Sequence, residues 1–354
     1  MAALLLLALV ILLSFVISVP GWPTGERKAA PLALVRSGPP VAMPRRVWID
    51  TDAACGHSSR ADADDCFALL ILLRAPGIEV VGITTVHGNA PVEVAQRIVH
   101  ELVALVGRNR TPPVHRGSAT ESPTVPAPAH AALRDALAAG PLTIVALGPL
   151  TNIAAALRGR PDLAHNLGRL VTVMGRRPGH LFHPAEGRGS GILFGHGPVF
   201  RDFNFDKDRA AATEILALGL PVTLVPYEAA RNVTLSADDL AVLNAAGGAP
   251  AWVASRARGW LDFWAAVVGL GGFYPFDTLA AAYALEPALF DCAEVAAWVA
   301  KDRKLWGRLF SPEALLVGIE RERAEKPRAS AKVLYCPRIA PHMHAWLMAR
   351  LVRR

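Results

Sequence analysis

Aspartates crowd the sequence where one short apolar run ends and a long apolar stretch begins. Asp50 and Asp52 end the run that starts at Val47, and three more acids follow before the long stretch: Asp62, Asp64 and Asp65. Carboxylates that lie close together repel one another unless protons or a cation neutralise them. A hard cation such as Ca²⁺ takes several oxygen ligands and favours carboxylates. The spacing therefore predicts a calcium site at the end of the first strand.

Helix capping and phosphatase chemistry account for these acids less well. Aspartates at a helix start cap free N–H groups and complement the helix dipole, but this accounts for one or two acids only. A phosphatase of the haloacid dehalogenase type would also place an Asp-x-Asp pair after a strand. That class has Thr or Val where Ala54 stands and a late acidic pair preceded by Lys, whereas Asp277 is a lone acid. We therefore prefer the calcium site.

Apolar runs alternate with helical patterns in the elements that would position the acids. Strands are predicted over residues 47–50, 78–86, 142–147, 170–174 and 222–225, and helices over residues 64–74, 92–106, 151–157 and 210–217. This alternation predicts a parallel sheet with helices on both faces. In such sheets ligands bind beyond the carboxyl ends of the strands, where Asp50 and Asp52 are expected.

The second half of the chain is predicted to be more helical. Helical patterns cover residues 236–264 and 276–285, short strands follow Cys292, and a last helix covers residues 342–352. Residues 118–128 are rich in Pro and Thr and predict a loop. The predicted fold is α/β, with a mostly parallel, Rossmann-like sheet flanked by helices and a helical C-terminal part.

The composition suits a globular protein that does not bind nucleic acid. Of the 354 residues 52% are hydrophobic, which is ample for a sizeable core. The net charge is +7, but the basic residues are scattered and no basic stripe is interleaved with aromatic residues. Nucleic-acid binding modules concentrate such residues on one face. The charge therefore indicates a solvated basic surface.

The N-terminal segment is predicted to anchor the chain in a membrane. Residues 1–19 are almost wholly apolar, and about 17–25 such residues span a bilayer core. No basic residue precedes the run and no good cleavage site ends it, so an uncleaved anchor is favoured over a signal peptide. Basic residues just after the run favour the cytoplasmic side, with export as the alternative. A wrongly chosen start codon would remove the segment. Residues 20–44 are a Pro- and Gly-rich linker, and residues 45–354 form one domain.

The four cysteines show no metal-binding spacing. Cys55, Cys66, Cys292 and Cys336 include no C-x-x-C pair, which argues against a zinc ribbon or a thioredoxin-like site. Cys55 and Cys66 would form a disulfide in an oxidising compartment. We expect free thiols instead, in keeping with a cytoplasmic location.

Six short motifs occur in a fixed order along the chain. They are Asp50-Thr-Asp52 with Asp64-Asp65, Thr84–Asn89, Leu147–Asn152, Val171–Gly175, Asp202–Asn204 with Asp208, and Asp277 at a helix start. Together they resemble the inosine–uridine-type nucleoside hydrolases from about Arg45 to the C-terminus. The resemblance implies cleavage of a ribonucleoside to ribose and free base, in purine or pyrimidine salvage. It also implies a bound Ca²⁺ that holds the ribose hydroxyls and a nucleophilic water.

The resemblance implies a role for each matching residue. Asp52 would be a metal ligand and the general base, and further metal ligands would be Asp65, Asp277 and the backbone carbonyl of Leu147. The ribose would be bound by Asp64, Asn89, Met174, Asp202 and Asn204. Asp202 stands where the family usually has Glu. Asp50 would support the metal site from behind.

The chain departs from the family pattern mainly around the nucleobase. Residues 53–63 are an insertion between the two halves of the acidic motif, which would either cover the site or disrupt it. Phe276 replaces the histidine that serves as the presumed leaving-group acid, and phenylalanine cannot donate a proton. Substitute donors would come from His87, His183 or His196, the last in a Gly-rich loop.

Further departures lie in the loops that close over the substrate. The stretch between Gly117 and Leu142 lacks the family's closing loop, and Glu228 and Arg231 replace an Asp and a His. We therefore predict an N-ribosyl hydrolase that is divergent at the leaving-group position, with a small-molecule nucleoside as its partner. The alternative is a weak or inactive Ca²⁺-dependent protein that binds nucleoside or ribose. A homo-oligomer is left open.

Overall fold

The computed structural model describes residues 46–107, 111–178, 202–302, 313–318, 327 and 329–353. Its strands are β1 (Arg46–Thr51), β2 (Glu79–Thr85), β3 (Val114–Arg116), β4 (Leu142–Ala146), β5 (Leu167–Thr172), β6 (Val222–Leu224), β7 (Leu235–Ser236), β8 (Gly272–Phe273), β9 (Phe290–Lys301), β10 (Glu313–Gly318) and β11 (Ser330–Ile339).

The helices lie between these strands. They are α1 (Asp64–Arg74), α2 (Val92–Val106), α3 (Pro128–Ala138), α4 (Thr151–Leu157), α5 (Phe203–Lys207), α6 (Arg209–Ala217), α7 (Tyr227–Ala230), α8 (Ala237–Ala246), α9 (Gly248–Phe263), α10 (Phe276–Leu285) and α11 (Met343–Leu351). Short 3₁₀ turns cover Pro161–Asn166 and Pro287–Leu289, and a π-helical turn over Trp264–Val268 extends α9.

A mostly parallel sheet organises the described residues. Its nine strands run in the order β10-β9-β11-β6-β5-β4-β1-β2-β3, and β1 pairs in parallel with both β2 and β4. The chain builds outward from β1 in one direction and then resumes at β4 on its other side. The carboxyl end of β1 therefore lies at the point where the strand order reverses, which is where α/β sheets bind ligands.

Apolar side chains fill both faces of the sheet. Val47 and Ile49 of β1 belong to the core beneath α1, α2, α9 and α10, whereas Trp48 belongs to the core beneath α3, α4 and α6. Because both faces are covered, the parallel strands are apolar almost throughout. Helix α1 is buried from Asp64 to Leu73 and packs against α10. The acids that open α1 and α10 are thereby brought together inside the molecule.

The predicted α/β fold is confirmed, with differences at its edges. After the helical stretch from α8 to α10, strand β9 is twelve residues long and joins the main sheet between β10 and β11, antiparallel to both. Helix α3, which opens with Pro128 at the end of the predicted loop, was not anticipated.

The cysteines differ from expectation. Cys55 bonds to Cys66 and Cys292 bonds to Cys336, so the prediction of free thiols is wrong. Cys66 lies in the first turn of α1, and the preceding insertion folds back so that the Cα atoms of Cys55 and Cys66 are 6.4 Å apart. The second bond links the neighbouring strands β9 and β11.

The predicted anchor and linker lie outside the described residues. Within the residues that the structure describes, no helix is both long and apolar enough to cross a membrane.

Candidate active site

Asp52 lies directly beyond β1 and packs closely against two glycines. Its Oδ2 accepts a hydrogen bond of 2.7 Å from the Asn89 backbone N–H. A Cβ atom on Gly88 would lie 1.8 Å from Asp52 Oδ2, and one on Gly148 would lie 3.1 Å from Asp52 Oδ1. Glycine is therefore required at 88 and favoured at 148, because a side chain would displace the carboxylate.

Asp65 in the first turn of α1 lies close to the same strand end. The Thr51 hydroxyl donates to Asp65 Oδ1 over 2.5 Å, and the side chain of Asn89 also hydrogen-bonds Asp65. Burial raises the pKa of Asp65 to about 6. Burial and then the charge of Asp65 raise the pKa of Asp52 well above its ordinary value. The two carboxylates therefore repel each other in a dry environment.

Asp64 connects α1 to the start of α10. Its Oδ2 accepts from the Asp277 N–H at 2.5 Å, and its Oδ1 accepts from the Thr278 N–H at 3.2 Å and from the Thr278 hydroxyl. Asp64 thus caps α10 and fixes Asp277 beside α1. The predicted contact of Asp64 with ribose would use the lone pairs that these bonds leave.

The pKa of Asp277 reflects its burial and the charges of neighbouring acids. Burial raises its pKa well above the ordinary value, and the charges of four other aspartates add to the rise: Asp65, Asp64, Asp62 and Asp52. We call these five residues together with Asp50 the acid cluster. Residues from β1, the insertion, α1 and α10 therefore converge, although they are up to 227 positions apart in the sequence.

Asp50 supports the cluster from within the sheet. Its Oδ1 accepts from Asn152 Nδ2 at 2.7 Å and from the Thr84 hydroxyl. Burial raises the pKa of Asp50 to about 7. Asn152 also donates to the Thr85 carbonyl and accepts from the Ser118 N–H, so it ties α4 to three neighbouring segments. The motif that contains Asn152 was recognisable in the sequence, but no role was predicted for this residue.

The donor chemistry of the cluster fits a hard cation. Asp52 Oδ1 and Asp65 Oδ2 are buried and find no hydrogen-bond partner within the described part of the chain. Buried carboxylate oxygens are normally satisfied, and Ca²⁺ prefers oxygens of this kind. Among the same residues no three His, Cys, Asp or Glu side chains already stand in a metal-binding geometry. The fit therefore rests on the unsatisfied oxygens and on the shared negative charge.

The predicted carbonyl ligand, Leu147, lies beyond β4 next to the cluster. Its carbonyl accepts a 2.7 Å hydrogen bond from Asn204 Nδ2, which also reaches the Val173 carbonyl at 3.2 Å. Asn204 is buried on α5. It therefore holds the loops after β4 and β5 together at the carboxyl edge of the sheet.

Met174 and Asp202 lie at the loop after β5. Met174 is buried and packs in the core on the α4 side of the sheet. Asp202 caps α5, accepting from the Phe205 N–H at 3.4 Å, and its other oxygen accepts from the Gly175 N–H at 2.5 Å. Burial raises the pKa of Asp202 to about 7. Their predicted contacts with the sugar stay predictions.

Aromatic rings flank the acid cluster at Phe276. This ring stacks on Tyr227 with centroids 6.2 Å apart and meets Tyr274 edge-on, also at 6.2 Å. Tyr274 in turn contacts Trp264 at 5.0 Å. We call Phe276, Tyr227, Tyr274 and Trp264 the aromatic wall. Phe276 is the residue that the family resemblance assigns to the leaving-group position, and that assignment stays a prediction.

His87 is fixed by a polar chain. Its Nε2 lies 3.1 Å from the Thr151 hydroxyl, which donates to Asp208 Oδ2 over 2.8 Å. Burial lowers the pKa of His87. One ring nitrogen is therefore engaged by Thr151. The other two predicted donors, His183 and His196, lie outside the described residues.

The insertion packs against helix α9. A Cβ on Gly56 would lie 2.8 Å from Arg256 Cγ, one on Gly259 would lie 2.8 Å from Ser59 Cα, and the Arg60 guanidinium lies 5.8 Å from the Phe263 ring centroid. The insertion is thus held on α9 at its outer side and bonded to α1 through Cys66. This arrangement leaves the aspartates on either side of it within one cluster.

The chain is similar to known hydrolases over most of its described length. A family model described as inosine-uridine preferring nucleoside hydrolase matches residues 47–336. A pyrimidine-specific ribonucleoside hydrolase of Citrobacter koseri is 26% identical over 265 residues, which are 65% of this chain and 78% of that protein.

Solved structures share the fold. A plant nucleoside hydrolase has a TM-score of 0.68 at 20% identity, over 88% of this chain and all of that one. A purine-preferring ribonucleoside hydrolase from Gardnerella vaginalis has a TM-score of 0.65 at 20% identity, over 87% of this chain and 98% of that one. The order of strands and helices described above is therefore that of an established fold.

Proposed function

The chain belongs to the inosine-uridine preferring nucleoside hydrolase family, and from this premise we propose that it hydrolyses a ribonucleoside to ribose and free base, assisted by Ca²⁺. The observation that carries the proposal is that two buried oxygens, Asp52 Oδ1 and Asp65 Oδ2, have no hydrogen-bond partner among the residues that the structure describes. Hydrogen bonds from the Asn89 N–H and the Thr51 hydroxyl fix one oxygen of each carboxylate, whereas the other oxygen of each is unsatisfied within the described residues. An external ligand at these oxygens removes the cost of burying them.

The residues that would hold the cation are Asp52, Asp65, Asp277 and the carbonyl of Leu147. When bound, Ca²⁺ supplies a fixed positive charge that orients sugar hydroxyls and acidifies a water molecule. Asp52 then acts as the general base, since its carboxylate is fixed by the Asn89 N–H and cannot rotate away. We assign Asn89 and Asn204 to orient the sugar.

The carboxylates also favour the transition state. Cleavage of an N-glycosidic bond develops positive charge on the ribose, as in other glycoside hydrolysis. Fixed negative groups in a dry site stabilise that charge without reorganising. The cluster therefore serves both to hold the cation and to stabilise the sugar as the bond breaks.

The leaving base would meet the aromatic wall. Phe276 cannot donate a proton, but its ring is only partly buried, on a base of buried Tyr227 and Tyr274, and suits stacking with a planar heteroaromatic ring. We propose that base selection rests on this stacking. The leaving group therefore departs without a proton from residue 276.

The test is ribose release by the purified full chain in Ca²⁺, with inosine, uridine, cytidine, adenosine and guanosine. Asp52→Asn should lower the rate by about 10²–10⁴-fold, the usual contribution of a general base. Asp135→Asn removes an exposed acid from α3 and should leave the rate unchanged. Wild-type turnover in Asp52→Asn would refute the assigned base.

A second candidate is a protein that binds nucleoside with Ca²⁺ but does not cleave it. The engagement of His87 by Thr151 and the lack of a donor at Phe276 favour it. Calorimetry on the same five nucleosides separates the two functions. Binding of a nucleoside without ribose release would establish the second.

We further propose that residues 1–19 attach the chain to a membrane. Both disulfides favour the exported side over the cytoplasmic side, because such bonds persist in oxidising compartments. Cysteines that react with maleimide in intact cells only after reduction would support export. The oligomeric state stays a prediction that light scattering can test.

A further inference from the structure

The insertion carries an acid of its own into the cluster. Asp62 lies two residues before Asp64, and its Oδ1 accepts a 2.9 Å hydrogen bond from the Asp64 N–H. We propose that Asp62 belongs to the cation site and strengthens the binding of Ca²⁺. This inference rests on the proposed function, because it assumes that the acid cluster holds a cation.

The insertion is held firmly enough to position Asp62. Ala54 and Ala61 are buried against Ala90, which follows Asn89 at the site. The Cys55–Cys66 disulfide closes the loop onto α1, and both cysteines are buried. Contacts with α9 hold the outer side of the loop. Asp62 is therefore fixed from three directions.

The charge of Asp62 reaches the other acids. Burial is the main cause that raises the pKa of Asp52, Asp64 and Asp277, and the charge of Asp62 adds to each rise; burial also raises the pKa of Asp62 itself to about 7. The hydrogen bonds give the same placement, because Asp62 accepts from the Asp64 N–H, Asp64 accepts from the Asp277 N–H, and Asp65 is the next residue. Asp62 therefore adds to the field that any cation in the cluster would experience.

Helix capping alone does not explain an aspartate here. The hydrogen bond to the Asp64 N–H would be made equally well by asparagine or serine. Either would avoid a further negative charge among acids that already repel one another. The helix dipole accounts for one or two acids, and Asp64 and Asp65 already lie in the first turn of α1. A bound cation would give the further charge of Asp62 a function.

The test separates charge from capping. Asp62→Asn keeps the acceptor oxygen and removes the charge, and calorimetry on the metal-stripped full chain measures Ca²⁺ affinity. We expect Asp62→Asn to weaken Ca²⁺ binding about tenfold, since ligand charge sets calcium affinity. Without Ca²⁺ the variant should melt at the wild-type temperature or higher, because repulsion is relieved. Asp62→Ser repeats the test with another capping residue.

The outcomes are distinguishable from those of the proposed function. Asp135→Asn is the matched control and should bind Ca²⁺ like the wild type. Wild-type Ca²⁺ affinity in Asp62→Asn and Asp62→Ser, together with loss of affinity in Asp65→Ala, would overturn the role of Asp62 and leave the cation site in place. A wild-type chain that binds no Ca²⁺ would overturn both.

Discussion

Two groups of buried carboxylates in this molecule have different partners. Beyond β5 and β9, Asp302 pairs with Arg176, and Glu228 pairs with Arg177 at 3.0 Å while accepting from the Tyr335 hydroxyl. In the acid cluster, no Lys or Arg of the described chain forms an ion pair with Asp52, Asp65 or Asp277. The chain therefore supplies arginines where a carboxylate is structural. The acid cluster has no such arginine among the described residues, which agrees with the cation that we propose there.

The largest expected effect on stability concerns the ion pair between Arg176 and Asp302. Arg176→Ala removes the arginine that pairs with the buried Asp302, which should lower the free energy of unfolding by about 3–5 kcal/mol. Urea denaturation followed by circular dichroism measures it. Arg338→Ala is the matched control, because its pair with Asp291 is exposed and should contribute under about 1 kcal/mol. Equal losses in the two variants would show that Asp302 does not depend on Arg176.

A smaller effect concerns the acid cluster without its cation. The pKa of Asp50 is about 7 and that of Asp65 about 6 in the folded chain, against about 3.9 when unfolded. The folded state therefore binds more protons between about pH 4 and 7, so stability falls as pH rises through that window. In EDTA, the melting temperature should be a few degrees lower at pH 8 than at pH 5.

Two controls assign that pH dependence to the cluster. Asp50→Asn should reduce the drop, since one of the titrating groups is gone, and excess Ca²⁺ should reduce it in the wild type by neutralising the others. A melting temperature that rises from pH 5 to pH 8 in EDTA would show that the cluster does not carry the repulsion described here.

The sequence sufficed for elements whose signals are local. The bounds of α1, α2, α4 and α10 match the predicted ranges, because apolar periodicity and helix-start residues lie within each segment. The order of the motifs that resemble the family then predicted that Asp52, Asp65 and Asp277 share one site. Long-range partners had no such signal: Asn152 beneath Asp50, Asp64 on the start of α10, and Asp302 opposite Arg176.

The structure of the insertion was likewise not predictable from the sequence. Its sequence suggested that it would either cover the site or disrupt it, and Cys55 was expected to be a free thiol. The structure shows that the insertion packs against α9 and Ala90, and that Cys55 bonds to Cys66. It also shows that Asp62 hydrogen-bonds the Asp64 N–H. Contacts between segments far apart in sequence decide such a loop, and a single sequence does not record them.

Calcium binding by Asp65→Ala tests the central claim most directly. Asp65 Oδ2 is buried and unpartnered, and the Thr51 hydroxyl holds its other oxygen. Calorimetry on the metal-stripped full chain should show Ca²⁺ binding to the wild type and none to Asp65→Ala, with unchanged circular dichroism. Wild-type calcium affinity in Asp65→Ala would contradict the assignment of the cation site, because the unpaired carboxylates would then have another purpose.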